Sequence, residues 1–379
     1  MIEFASLTGL SPGRCPPKRY LWTDAYAVCN FFGLYRQTNN EQYKDFGLLL
    51  VDQVHATLGR HRRDDSRTGW ISGLSEEEGR RHPTKGGLRI GKEMSERRPE
   101  EPFDERLEWD RDGQYYHYLT QWMHALACVS RLTGDLTFNR WAIDLAKIAQ
   151  AKFTYALPHG GGKRMYWKMS IDLSYPLVAS MGHHDPIDGL ITYSELQATA
   201  GKYPVRSEQS DLSVEIADMA AICDGINWTT DDPLGIGGLL AGAYRMAQLT
   251  VLDSFIRPDL LGTVLKDSLA GLERFVRTSP LNLSADHRLA FRELGLSIGL
   301  QAVKKFQGLI ERYPGVFKKY RDIYSHIRGI MDYSHLSERI NTFWLGRNNR
   351  EFGSWTEHRE VNMVMLATSL SPEGYLSFQ

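Results

Sequence analysis

The sequence predicts an all-α protein, a single domain over residues 1–379 built as a toroid of helical hairpins. Three observations predict this class. Apolar residues recur with the 3.6-residue period of a helix, strongly apolar segments alternate with amphipathic ones, and patterns typical of strands are scarce. The sequence also lacks the strand, glycine-rich loop and helix that begin a dinucleotide-binding fold. The repeating unit is therefore a buried helix followed by a half-exposed partner.

Two hairpins near the N-terminus show this repeat most clearly. Segment 22–35 is apolar on nearly every side, and the segment after it carries one apolar stripe; the same succession recurs from residue 115. Their connections align as Tyr35-Arg36-Gln37-Thr38-Asn39-Asn40 and Ser130-Arg131-Leu132-Thr133-Gly134-Asp135. Asn39 and Gly134 suit a helix C-cap, and Asn40 and Asp135 suit the N-cap of the next helix. The match predicts an internal repeat.

Later segments continue the pattern. Buried helices are predicted at 167–178, 234–249, 289–303 and 357–370, with amphipathic partners at 214–222, 255–275 and 306–330. About six hairpins, with turns such as Arg131-Leu132-Thr133-Gly134-Asp135, resemble the (α/α)6 toroid of the six-hairpin glycosidase superfamily and of the N-acylglucosamine 2-epimerase family. The resemblance covers nearly the whole chain and implies a carbohydrate-active enzyme. An open α-solenoid would need more uniform repeats than this chain has.

Composition narrows the class of partner. The 45 Lys and Arg residues balance 46 Asp and Glu residues, so nucleic acid or an anionic membrane is not the expected partner. A small-molecule or oligosaccharide substrate fits better. The start of the chain lacks a signal-peptide pattern, and no apolar run approaches the ~20 residues that span a bilayer. We therefore expect a cytoplasmic protein; the oligomeric state stays open.

The cysteines show no pattern typical of a metal site or a disulfide framework. Cys15, Cys29, Cys128 and Cys223 lie far apart in the sequence, without a C-x-x-C pair. Three of them fall in or beside apolar helical segments, where a thiol behaves as a small hydrophobic group. We expect free thiols in a reducing compartment, and neither a metal nor a cofactor.

Inner helices of a hairpin toroid open toward one face, so unusual polar residues at their starts are candidate site residues. The first start combines Trp22 with Asp24. The second places Trp109, Asp110 and Asp112 before Tyr116, and Trp167 begins the predicted helix 167–178. An aromatic face stacks on the C–H face of a pyranose while carboxylates bind its hydroxyls, which predicts a sugar site. Each Asp is equally suited to N-capping.

A loop rich in histidine and carboxylate follows the third predicted helix. His183, His184, Asp185 and Asp188 stand within six residues, and Pro186 and Gly189 mark a shaped turn. An acid–base role or hydroxyl recognition is favoured over a metal, because zinc sites draw on more widely spaced ligands and imidazole titrates near neutral pH. Structural hydrogen bonding in the turn is the alternative.

The last two hairpins and the long insert at about 59–108 supply the remaining candidates. His287 precedes a buried helix, and Glu293 is a charge at its threshold. Trp355, Glu357, His358 and Asn362 occupy the start of the final helix, where Thr356 is placed as an N-cap. The insert is too long for a hairpin connection, which indicates a lid or pocket wall. Its candidate substrate-binding residues are Trp70, His82 and Arg89.

Three functions follow from these candidates. A glycoside hydrolase would use two carboxylates as acid and as base or nucleophile. Its catalytic candidates are Asp110, Asp112, Asp185, Asp188, Glu293 and Glu357. A sugar epimerase or isomerase would instead exchange a proton through His184 and His358. The third hypothesis is a non-catalytic sugar-binding helical scaffold. Hydrolysis is the leading prediction, and one pocket lined by Asp24, Asp110, His184, Glu293 and His358 is expected.

Overall fold

Helices make up most of the chain in its computed structural model, which describes residues 1–10, 16–158, 161–201, 210–255, 257–318 and 320–378. The helices are α1 (Ile2–Leu7), α2 (Leu21–Thr38), α3 (Glu41–Leu58), α4 (Glu76–Arg81), α5 (Glu105–Asp110), α6 (Tyr116–Thr133), α7 (Leu136–Phe153), α8 (Asp185–Gly201), α9 (Ser213–Cys223), α10 (Pro233–Val251), α11 (Pro258–Arg277), α12 (Ala290–Arg312), α13 (Pro314–Phe317), α14 (Arg321–Met331), α15 (His335–Leu345), α16 (Gly353–Thr356), α17 (Arg359–Leu370) and α18 (Glu373–Leu376). The strands are β1 (Gln114–Tyr115), β2 (Thr154–Ala156), β3 (Lys163–Met165), β4 (Lys168–Met169) and β5 (Pro176–Val178). The predicted all-α class is confirmed.

The described chain forms two compact units, residues 5–224 and residues 225–379 with 1–4. In the first unit, α2 pairs with α3, α6 with α7 and α8 with α9, and α6 lies between α2 and α8. The inner helices α2, α6 and α8 are the most buried of these pairs. Helices α10, α12 and α17 take the corresponding inner positions in the second unit. The predicted organisation into helical hairpins, each with a buried inner helix, is confirmed. The single domain over 1–379 stays a prediction.

The turns of the first two hairpins repeat in structure as the sequence predicted. Asn39 and Gly134 both adopt left-handed backbone conformations, at φ 53° and 75°. The next residue then caps the outer helix: the Asn40 side chain accepts a hydrogen bond from the backbone N–H of Gln42, and the Asp135 side chain accepts one from Thr137. The same local chemistry therefore reverses the chain twice.

Glycine permits a close crossing of α10 and α12 in unit 225–379. A Cβ added to Gly237 of α10 would lie 2.1 Å from the carbonyl oxygen of Gly295 in α12. Gly299, one turn later in α12, would likewise meet the backbone of Gly237 at 2.5 Å. The two backbones touch without intervening side chains, which explains glycine at positions where it costs helix propensity.

The predicted buried helix at 167–178 is wrong, because β4 and β5 occupy this segment in a three-stranded antiparallel sheet ordered β1-β4-β5. Its connection is a polar turn. The Asp172 carboxylate accepts hydrogen bonds from the Ser170 hydroxyl and from the Ser174 backbone N–H, and Leu173 has a positive φ of 58°. Alternating polar residues, which favour a strand, outweigh the apolar ones that indicated a helix.

Several helix boundaries also differ from prediction. The partner predicted at 306–330 is divided, because α12 continues to Arg312 and is followed by the separate helices α13 and α14. The histidine-rich loop ends earlier than expected, since Asp185 is already the first residue of α8. The last inner helix begins at Arg359, and Thr356 does not cap it. Thr356 is instead the last residue of the short helix α16, and its hydroxyl donates to the carbonyl of Phe352, the N-cap residue of that helix. Segment 59–108 contains α4 and part of α5, joined by irregular backbone. No helix in the described residues is long and apolar enough to cross a bilayer.

Candidate active site

Three inner helices of unit 5–224 begin beside one group of aromatic side chains. Helix α2 starts at Leu21, α6 at Tyr116 and α8 at Asp185. Tyr20 is the N-cap residue of α2, and its backbone N–H donates to the Asp24 carboxylate at 2.9 Å. Neighbouring parallel inner helices place their N-terminal residues at the same end, which positions these side chains together.

The aromatic cluster consists of Tyr20, Trp22, Trp109, Tyr115, Tyr118 and Trp167. Tyr118 is central, with its ring centroid 5.6 Å from Tyr20, 6.5 Å from Trp22 and 5.3 Å from Tyr115. The hydroxyls of Tyr20 and Tyr118 are 2.7 Å apart and share a hydrogen bond. Rings at these separations pack as offset or edge contacts.

Trp109 is the exposed member of the aromatic cluster, and it packs against the half-buried Trp167. Their ring centroids are 5.0 Å apart at nearly right angles, and Trp167 lies 5.7 Å from Tyr115. Trp109 is 48% exposed, an unusual exposure for so large an apolar side chain. An exposed indole joined to buried rings offers a flat apolar surface to a ligand.

A histidine and a carboxyl group meet at the edge of the aromatic cluster. His117 packs on Tyr115 and Tyr118, at ring-centroid distances of 5.4 and 4.7 Å. Its Nδ1 lies 3.7 Å from Oδ1 of Asp185, at the start of α8. The two side chains come from adjacent inner helices and form the His117–Asp185 pair.

The pKa values of this pair are displaced in opposite directions. Burial, followed by the charge of His184, lowers the pKa of His117 to about 4. Burial and then the negative charge of Asp188 raise the pKa of Asp185 well above its usual value. The imidazole is therefore neutral at pH 7, while the carboxyl group holds a proton more tightly than an exposed one. A proton acceptor beside a proton donor is typical of acid–base sites.

The loop candidates before α8 belong to the same region. The rings of His183 and His184 are 4.8 Å apart, and His183 is exposed. The charge of His184 contributes to the lowered pKa of His117, and the charge of Asp188 contributes to the raised pKa of Asp185. The structure thus gathers His183, His184, Asp185 and Asp188 next to a histidine from another helix.

Asp24 lies beneath Tyr20 and is buried, with 1% of its surface exposed. Its Oδ1 is 3.5 Å from Nη1 of buried Arg19. Burial raises the pKa of Asp24 to about 6, and the Arg19 charge and the Tyr20 backbone N–H offset part of this increase. Its bonds to Arg19 and Tyr20 indicate that Asp24 orders the start of α2 below the cluster.

Two other candidates in unit 5–224, Asp112 and Arg89, are engaged in structural contacts, whereas Asp110 is exposed. Asp112 is fully buried and bound by Arg62, Arg89 and two backbone N–H groups. Arg89 also donates to the carbonyls of Thr57 and Arg60. Asp110, two residues before Asp112, is exposed at the end of α5.

The remaining three candidates of this unit are also held by neighbours. Trp70 is buried under the guanidinium of Arg60, 4.3 Å from its ring centroid. His82 Nδ1 lies 2.8 Å from the carboxylate of Asp144. The Tyr116 hydroxyl donates to that of Tyr193 at 2.7 Å inside the core. None of these contacts brings the three side chains to the aromatic cluster.

In unit 225–379, Glu293 is buried in a fully paired arrangement. Its carboxylate accepts two hydrogen bonds from Arg288, at 2.8 and 2.7 Å, and one from the indole N–H of Trp344 at 2.8 Å. Trp355 stacks on Trp344 at 5.7 Å. The partner that the sequence required for Glu293 is therefore Arg288, five residues earlier.

The other candidates of this unit differ in exposure. His287, Glu357 and His358 are exposed, and the His358 ring lies 5.6 Å from that of Phe291. Asn362 is buried, and its side-chain amide donates to the carbonyl of Trp355 at 3.0 Å. The predicted single pocket shared by Asp24, Asp110, His184, Glu293 and His358 stays a prediction.

Sequence reasoning missed His117, Tyr20, Tyr115 and Tyr118 as site residues. The signal was present as Tyr115-Tyr116-His117-Tyr118, four consecutive rings at a helix start. Aromatic residues at helical spacing are usually core, and only the contact with α8 distinguishes His117 from buried Tyr116.

No protein-family model and no curated protein sequence matches the chain. Solved structures similar to it include two sugar epimerases. A sugar epimerase from a ruminal bacterium is 10% identical, with 93% of this chain and 87% of that one covered, at a TM-score of 0.49. Cellobiose 2-epimerase from Spirochaeta thermophila is 13% identical, with 95% and 87% covered, also at 0.49.

Proposed function

We propose that this chain is a carbohydrate-active enzyme, an aldose epimerase or isomerase that works by proton transfer at the aromatic cluster of unit 5–224. The His117–Asp185 pair carries the proposal. A neutral imidazole accepts the proton on the carbon next to a sugar carbonyl, and a carboxyl group with a raised pKa protonates the oxygen on which negative charge develops. Return of a proton to the opposite face of the same carbon gives the epimer, and addition of the proton to the neighbouring carbon gives the isomer.

The aromatic cluster supports a sugar as the substrate class. Trp109 and Trp167 present apolar surface for the C–H face of a pyranose, and the paired hydroxyls of Tyr20 and Tyr118 are available to its polar edge. Apolar walls with few polar groups are typical of small-molecule sites. The near balance of charge over the chain agrees with a neutral ligand.

Glycoside hydrolysis, the leading prediction from the sequence, is supported less well by this geometry. It needs two carboxyl groups about 5–9.5 Å apart. Asp185 suits the acid, but Asp112 is bound to two arginines and Asp110 is exposed on α5. Pairing of His184 with His358, the alternative from sequence, joins residues of different units and stays a prediction.

The test is incubation with aldoses and disaccharides in D2O, followed by proton NMR. We expect deuterium at the carbon next to the carbonyl together with a new epimer or ketose. His117→Gln and Asp185→Asn should each lower turnover by about 10²–10⁴-fold. His335→Gln is the matched control, because His335 is exposed on α15 and its Nδ1 contacts the carbonyl of Asp332.

Two results would contradict the proposal. Release of new reducing ends from a disaccharide, without deuterium in the sugar, would favour hydrolysis. Unchanged turnover in both the His117 and Asp185 variants would remove the pair from the reaction. Thermal unfolding of each variant separates lost chemistry from lost folding.

A further inference from the structure

A second cluster of chemically reactive side chains lies inside unit 5–224. It consists of Cys29 on α2 and of His124 and Cys128 on α6, all buried. His124 and Cys128 are four residues apart and so share one face of α6. That face contacts α2, which brings Cys29 to the same point. We call these three residues the thiol–imidazole cluster.

The ligand atoms of the thiol–imidazole cluster are spaced as around a metal ion. The sulfurs of Cys29 and Cys128 and a ring nitrogen of His124 all lie within 4.8 Å of one another. His124 Nε2 is 3.7 Å from the Cys128 sulfur. With zinc–sulfur and zinc–nitrogen bonds of about 2.3 and 2.0 Å, a tetrahedral site needs such atoms about 3.5 Å apart.

The surroundings of His124 orient it for this task. Its Nδ1 lies 2.8 Å from a carboxylate oxygen of Glu195 on α8. With Glu195 accepting the Nδ1 proton, the lone pair of Nε2 points toward the Cys128 sulfur. A carboxylate behind a histidine ligand is the usual support of a protein metal site, because it fixes the tautomer and the ring.

The charges nearby favour a divalent ion. Arg131 donates to Glu195 at 2.7 Å and to the Cys128 sulfur at 3.2 Å, and its charge compensates that of Glu195. Two cysteine thiolates with a neutral imidazole leave two negative charges in a buried site, and a divalent cation neutralises them. Thiolate and imidazole together select zinc over magnesium or calcium, which take oxygen ligands.

We propose that Cys29, His124 and Cys128 bind a zinc ion that joins α2 to α6, with Glu195 as its supporting carboxylate. The inference is separate from the proposed sugar chemistry and does not depend on it. Three protein ligands leave the fourth tetrahedral position to a water molecule or another small ligand. The metal would link two of the inner helices whose N-terminal ends carry the aromatic cluster.

The test uses the full chain purified under reducing, chelator-free conditions. Elemental analysis should find about one zinc per chain. Cobalt reconstitution of the chelated protein should produce thiolate-to-cobalt charge-transfer absorption and visible bands of a tetrahedral ion. Cys29→Ser and Cys128→Ser should lose both signals. Cys223→Ser is the matched control, because Cys223 is also buried but lies on α9 outside the cluster.

Glu195→Gln keeps all three ligands and so tests the site even if a cysteine variant misfolds. We expect its zinc affinity to fall by about 10–100-fold in competition with a chromogenic chelator. Absence of zinc in the purified protein, together with no charge-transfer band after cobalt addition, would overturn the proposal. So would a disulfide between Cys29 and Cys128 in protein kept reduced throughout, since it would use both thiolates.

Discussion

Asp112→Asn distinguishes a structural carboxylate from a catalytic one. The Asp112 side chain is fully buried, 2.9 Å from Arg89 Nη1 and 3.3 Å from Arg62 Nη1. It also accepts hydrogen bonds from the backbone N–H groups of Gly91 and Gly113. Asparagine keeps the shape but removes the charge, and it turns an NH2 group toward at least one of these donors. Every contact of the carboxylate is therefore weakened at once.

The expected loss follows from those contacts. Removing one partner of a buried ion pair costs about 3–5 kcal/mol, because the remaining charge is left uncompensated. A domain of this size loses about 2–4 °C of melting temperature per kcal/mol, so the transition of unit 5–224 should fall by about 6–20 °C. A residue acting only as an N-cap would lose less than about 1 kcal/mol, since asparagine caps as well as aspartate.

Calorimetry and urea unfolding measure this loss, and sugar turnover is measured well below the transition. Asp110→Asn is the control, because Asp110 is exposed and its replacement should stay within about 0.5 kcal/mol. An Asp112→Asn protein with unchanged melting temperature but turnover reduced by about 10²-fold or more would refute the structural role and restore Asp112 as a catalytic candidate.

Three further predictions concern stability. Burial lowers the pKa of His55 to about 3, so below pH 6.5 the unfolded chain binds a proton that the folded chain does not. The free energy of unfolding, measured in urea, should therefore drop by about 2 kcal/mol from pH 7 to pH 5. His55→Gln should remove this pH dependence. Gly237→Ala should destabilise unit 225–379 by about 1–3 kcal/mol or more in thermal unfolding. Gly238→Ala is the control, because a Cβ there meets nothing within 4 Å, and it should be neutral or stabilising. Equal effects of the two substitutions would contradict the close crossing. Glu293→Gln should cost about 3–5 kcal/mol by leaving buried Arg288 unpaired, and a melting temperature equal to the parent's would argue against that pairing.

Local chemistry made much of the fold predictable. The helix pairs at the N-terminus follow from apolar periodicity, and their turns follow from Asn39 and Gly134, whose left-handed conformations the residue types favour. The prediction of a helix at 167–178 was wrong because it gave more weight to the apolar residues than to the alternating polar ones. The polar residues Ser170 and Asp172 belong to a strand and turn. Periodicity separates the two poorly in short segments.

The candidate site was less predictable, because it depends on which helices become neighbours. The density of His184 and Asp185 in one loop could be read directly from the sequence. Their partner His117 lies almost seventy residues earlier, and no local pattern distinguishes it from core residues. The same holds for Cys29 and Cys128, which read as separate buried thiols until α2 and α6 are placed side by side.

The crossing of α10 and α12 at Gly237 and Gly295 has a consequence for motion. Helices that meet through side chains can slide by changing rotamers, but two backbones in direct contact have no such layer to rearrange. Relative displacement of α10 and α12 would first have to separate them. This pair should therefore open last, so its central amides should exchange hydrogen more slowly than any others in unit 225–379, near the rate set by global unfolding.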